Sequence, residues 1–164
     1  MKKTHNIALL AMTVAVAMVL SFVESRIPLS VSIPGIKIGL ANIAVVFALY
    51  KFGAKQAVTV SLIRVLLISL LFGKGIGFFY GLAGAVLSLT VMFLLKRFSP
   101  LSAIGVSVAG GVAHNVGQVG IAAIIVQNGR MFYYLPYLLI SGILAGIVVG
   151  ILAGILTKRL SPKL

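Results

Sequence analysis

The chain has 164 residues, of which 61% are hydrophobic and 9% charged, and its mean hydropathy is +1.22. A soluble domain must cover itself with polar side chains and cannot reach that balance, so the composition describes an integral membrane protein. Fourteen Lys and Arg stand against a single acid, Glu24, for a net charge of +13, and cysteine is absent, which excludes disulfides, thiolate nucleophiles and iron–sulfur centres.

A helical span needs about 20 apolar residues to cross about 30 Å of hydrocarbon. Six such spans can be drawn in one transmembrane domain, residues 1–164. The first covers about 6–23. Lys2 and Lys3 ahead of it mimic a secretory leader, but the apolar run is long enough to remain as a span. Glu24 to Pro34, with two prolines, is expected to leave the helix. The second span, about 36–50, is short, and the others cover about 55–72, 75–95, 101–126 and 132–157.

With the N-terminus in the cytoplasm, the inner ends hold Lys2, Lys3, Lys51, Lys55, Lys96, Arg97, Lys158, Arg159 and Lys163. The outer ends hold Arg26, Lys37, Lys74 and Arg130, and Arg64 lies within a span. Basic residues favour the cytoplasmic side, so both termini are expected there, in the cytoplasmic membrane. The same distribution makes the positive charge a topology signal and leaves no case for a nucleic-acid partner. Phe22, Phe78, Phe79, Tyr80, Phe132, Tyr133, Tyr134 and Tyr137 collect at the outer ends. They form a headgroup-level belt, or some of them close a pocket over a flat ligand.

Small residues recur at helical spacing. Gly142, Gly146, Gly150 and Gly154 share one face of the sixth span. Gly77, Gly81 and Gly84 do so in the fourth, and Gly105, Ala109, Ala113 and Gly117 in the fifth. Lipid gives no hydrophobic drive between helices, so such faces serve close packing. Ala8, Ala11 and Ala15 of the first span form a similar face, suited to packing or to docking another membrane subunit.

Polar residues inside spans are costly and so carry the functional expectation. Arg64 sits mid-span and stays charged at ordinary pH. It either snorkels and bonds neighbouring helices or holds an anionic ligand. His114, Asn115 and Gln118 are neighbours on the fifth span, as an interhelical hydrogen-bond cluster or as one wall of a ligand site. Lys37 and Asn42 follow the Pro34-Gly35 turn into the second span, where free backbone donors also favour an anion. The expected substrate-binding set is therefore Arg64, Asn42, Lys37, His114, Asn115 and Gln118.

The run Pro34-Gly35-Ile36-Lys37-Ile38-Gly39-Leu40-Ala41-Asn42, followed by Arg64 and by His114-Asn115-Val116-Gly117-Gln118, resembles the Gx transporter family, also called heptaprenyl diphosphate synthase component I. That family is similar to the S components of energy-coupling factor transporters. The resemblance implies an all-α bundle of six transmembrane helices and a substrate-binding subunit for a small anionic or amphipathic micronutrient or an isoprenoid- or flavin-type compound. A T component and two ATPases would supply energy, and Ala8, Ala11 and Ala15 would mediate docking. The site would lie in the outer half of the bundle.

Catalysis is not expected. Prenyl transfer needs clustered aspartates for Mg²⁺, and this chain has none. No phosphate-binding loop is present. His5, His114 and Glu24 are too scattered for a metal site, and a serine triad would lack its acid. No cofactor is expected. The rival expectation is a non-catalytic accessory of a polyprenyl synthase subunit. A proton-coupled carrier built on His114 would want an acid within a span, and Glu24 is expected outside one.

Overall fold

The computed structural model describes residues 2–27, 38–72 and 75–160. Lys37, Lys74 and the Pro34-Gly35 turn lie outside them. The described chain is an all-α membrane bundle: α1 (Lys2–Arg26), α2 (Leu40–Lys51), α3 (Ala54–Phe72), α4 (Ile76–Phe98), α5 (Ala103–Val126) and α6 (Leu135–Arg159), with a 3-10 turn (Gly129–Tyr134) leading into α6. Five of these helices are long and apolar enough to cross a bilayer, and α2 is a shorter apolar helix.

Local chemistry sets the helix ends. The chain before Pro28 cannot stay helical, because the proline ring crowds the preceding residue. α1 accordingly runs to Arg26. This corrects the expected end near Val23: Glu24 is not in a loop but in the last turn of α1. Between α2 and α3, Gly53 has φ 104°, a conformation that side chains with a Cβ rarely adopt, and its N–H bonds the Ala48 carbonyl at 3.1 Å. α4 stops where Ser99 turns extended ahead of Pro100. α5 begins under the Ser102 hydroxyl, which accepts from the Gly105 N–H.

α2 has twelve residues, about 18 Å at 1.5 Å per residue, too short to span alone. It is apolar all round and buries Ala41, Ile43, Ala44, Val45, Val46, Ala48 and Leu49. A helix of that kind belongs inside a bundle, and α2 does touch α1, α3, α5 and α6. The core around it is completed by Ala17, Ala57, Val60, Leu89, Met92, Val106, Val149 and Ala153.

α6 packs backbone to backbone on α5. A Cβ placed on Gly142 would stand 3.0 Å from the Gly111 carbonyl oxygen, one on Gly146 2.5 Å from Val108 Cα, and one on Gly150 2.6 Å from Ile104 Cα. Three of the four α6 glycines are thus needed for close approach. Gly154 is not, since nothing lies within 4 Å of its Cβ position, and Gly77 is equally open. On the α4 side, a Cβ on Gly117 would meet the Ala83 carbonyl oxygen at 2.8 Å, and one on Gly84 the His114 ring at 2.9 Å. Gly105 faces only Leu101 of its own segment.

Candidate functional site

A cavity of about 250 Å³ opens at the end of the bundle where α1, α3 and α5 finish and α2, α4 and α6 begin. All six helices contribute to its wall: Ser21, Glu24 and Ser25 from α1, Asn42 from α2, Arg64, Val65, Ile68 and Ser69 from α3, Gly77 from α4, Gly111, His114 and Asn115 from α5, and Gly142 and Ala145 from α6. Ile27, Ile38 and Gly39 complete it.

Four of the six expected residues meet here. Asn42 stands in the first turn of α2, whose backbone is set by Gly39 at φ 79° and by the Asn42 N–H to Gly39 carbonyl bond of 2.8 Å. Arg64 projects from the middle of α3. Its Nε is fully buried and has no hydrogen-bond partner. A guanidinium carries five donors and no acceptor, so an unanswered buried donor of this kind is an unpaid desolvation cost. His114 lies against Gly84 of α4, where only a glycine leaves room for the ring.

Asn115 serves a second purpose. It is buried, and its Nδ2 donates to the Leu138 carbonyl of α6 at 2.5 Å. Ser141 donates to the same oxygen at 2.9 Å. Asn115 is therefore both a cavity wall and a clasp between α5 and α6. The interhelical hydrogen bond expected of the fifth-span cluster is made by Asn115, and the structure places His114 and Asn115 on a cavity wall.

Gln118 does not line the cavity. It shares the helix face of His114 but lies four residues on, about 6 Å further along the axis. The spacing argument sets angle and not depth. The outer aromatics stay out of the lining too. Phe79, Phe132, Tyr133, Tyr134 and Tyr137 are exposed, as a headgroup belt requires, and the expectation that outer rings cover the ligand is not met in the described lining. Ala8, Ala11 and Ala15 are all exposed along one side of α1, so that face is open to lipid or to another subunit.

Glu24, the only acidic side chain that could pair with Arg64, was left out of the expected site because it was placed in the loop after the first span. Its Oε1 accepts a hydrogen bond from the Gly39 N–H at 2.5 Å, tying the end of α1 to the start of α2. Its charge also attracts that of Arg64 across the cavity. The signal was present: Pro28 permits helix to Arg26, which puts Glu24 one turn from Ser21 on the same face. Ser25 and Ser69 were missed as well, because lone serines in apolar spans carry no distinctive spacing.

The site is thus a mainly apolar chamber set with a few polar and charged side chains and walled by all six helices of a polytopic membrane protein. The chain belongs to the heptaprenyl diphosphate synthase component I family, whose model matches residues 13–156. No curated protein and no solved structure matches it.

Proposed function

We propose that this protein is a substrate-binding membrane subunit of an uptake system, of the S-component type. It takes a compact micronutrient bearing an anionic group, and partner ATPase subunits supply the energy. The observation that carries the reading is Arg64: a half-buried cation whose buried Nε has no partner, in the wall of a cavity with Asn42, His114 and Asn115. A purely structural arginine in hydrocarbon would be expected to satisfy its donors within the bundle. The cavity lies somewhat below the 300–1,000 Å³ usual for drug-sized ligands, which favours a compact molecule over a long prenyl chain. The exposed Ala8, Ala11 and Ala15 side of α1 is the surface proposed to meet a T component.

In this reading the protein sits in the cytoplasmic membrane with both termini inside, and the cavity opens outward. It is not itself an enzyme: the chain has no aspartate to hold Mg²⁺ on a diphosphate. Native mass spectrometry in mild detergent tests the proposal. Wild type is expected to release a small molecule that Arg64→Ala and His114→Ala do not carry, with both variants still folded. Retention of the molecule by both would overturn this site.

The family name favours a second reading, a non-catalytic partner of a polyprenyl synthase subunit. It predicts a stable complex with such a synthase and an empty cavity. Co-purification separates the two.

A further inference from the structure

The chain owns one carboxylate among 164 residues, and it stands in the cavity facing Arg64. A protein with fourteen basic residues gains nothing by putting its sole acid there for solubility or topology. Its backbone task, accepting the Gly39 N–H, could be done by a neutral glutamine or serine. The charge itself therefore needs a reason.

The pairing of charges supplies one. The charged side chains among the described cavity residues are one cation, Arg64, and one anion, Glu24. Arg26 is exposed at the end of α1, with its guanidinium 4.9 Å from the centre of the Phe22 ring. Among the described lining residues these two opposite charges stand on the same cavity. Net charge within a low-dielectric interior is costly. A simple anion would answer Arg64 but set a second negative group near Glu24. A simple cation would answer Glu24 but stand near the Arg64 charge. A ligand carrying both signs answers both groups.

Resting on the binding-subunit reading, we infer that the ligand is a compact zwitterion, with an anionic group on Arg64 and a protonated amine or ring nitrogen on Glu24. Asn42 and His114 line the same cavity and supply further hydrogen-bonding groups. The class includes amino acids and small nitrogen heterocycles bearing an acid. It leaves out prenyl diphosphates and simple carboxylates.

Glu24→Gln is the informative variant. The amide oxygen still accepts from Gly39, so the α1–α2 tie is kept while the charge goes. The wild type, Glu24→Gln and Arg64→Gln are purified in mild detergent, the released molecule is identified by accurate mass, and that molecule is rebound to each. The expected result is a molecule with both an acidic and a basic group. Each variant should bind it about ten- to a hundredfold more weakly, the worth of a charge-assisted hydrogen bond. Its N-acetyl derivative should lose a similar factor on wild type, which reads the same contact from the ligand side should Glu24→Gln not fold. A molecule with acidic groups only, or full affinity in Glu24→Gln with loss in Arg64→Gln, would overturn the zwitterion and leave the binding subunit standing. No released molecule from wild type, or equal binding by all three proteins, would overturn both.

Discussion

The α5–α6 seam and the cavity beside it are built in opposite ways within one bundle. Along the seam, glycines bring two backbones together, and the buried Asn115 gives its amide hydrogen to Leu138. Around the cavity, all six helices contribute to the wall but leave a gap, and the buried Nε of Arg64 finds no partner. Polar groups in hydrocarbon are expected to be satisfied by protein. The seam obeys that rule and the cavity does not. The contrast teaches where to look for function: not at polar residues as such, but at those the fold leaves unanswered.

The seam should break most sharply at Gly146. Its Cβ position is 2.5 Å from the Val108 backbone, which cannot rotate aside as a side chain would. Gly146→Leu must push α5 and α6 apart, with a cost of about 3 kcal/mol or more, beyond the usual range for overpacking. Gly154→Ala, on the same ladder but with open space around it, should be neutral or stabilising by up to about 1 kcal/mol, since alanine is the better helix former. Thermal unfolding in detergent measures both. Equal effects at the two positions would mean that the seam is not glycine-dependent.

The cavity should respond in the reverse sense. Arg64→Ala is expected to lower ligand affinity at least a hundredfold. It should change the unfolding midpoint only modestly, because the desolvation cost of the unpartnered Nε is relieved while Glu24 loses the attraction of the guanidinium. Ligand titration and a melting curve on the same sample separate the two effects. A large loss of stability would make Arg64 part of the frame.

The fold was legible in the sequence because a bilayer allows few solutions. Long apolar runs must be helices, and the glycine spacing marks the α6 face that meets α5. The site was legible in part. Arg64, Asn42, His114 and Asn115 stand out as polar residues in apolar runs, and the structure gathers them. Two features escaped. Gln118 fell off the cavity by one helical turn, since periodicity reports direction around a helix and says nothing of depth. Glu24 was assigned to a loop because the prolines after it were given too wide a reach, when Pro28 constrains only its immediate neighbours. That error hid the acid facing the arginine and, with it, the pair of opposite charges on the chamber. It also removed the one acid a proton-coupled carrier would need within a span.

Asn115 belongs to both regions and gives the finest test of the comparison. As a clasp it is worth little: interhelical hydrogen bonds in membranes average about 0.6 kcal/mol. Leu138 also keeps a second donor, Ser141. Asn115→Ala should therefore lower stability by about 1 kcal/mol or less, and Asn115→Ala with Ser141→Ala by more than the two singles combined, because only the pair leaves that carbonyl without a side-chain donor. If its cavity face matters too, the single variant should weaken ligand binding several-fold, while Ser141→Ala, which is absent from the lining, should not. A binding loss in both variants would show that the seam's geometry shapes the chamber, and that the two regions are mechanically one.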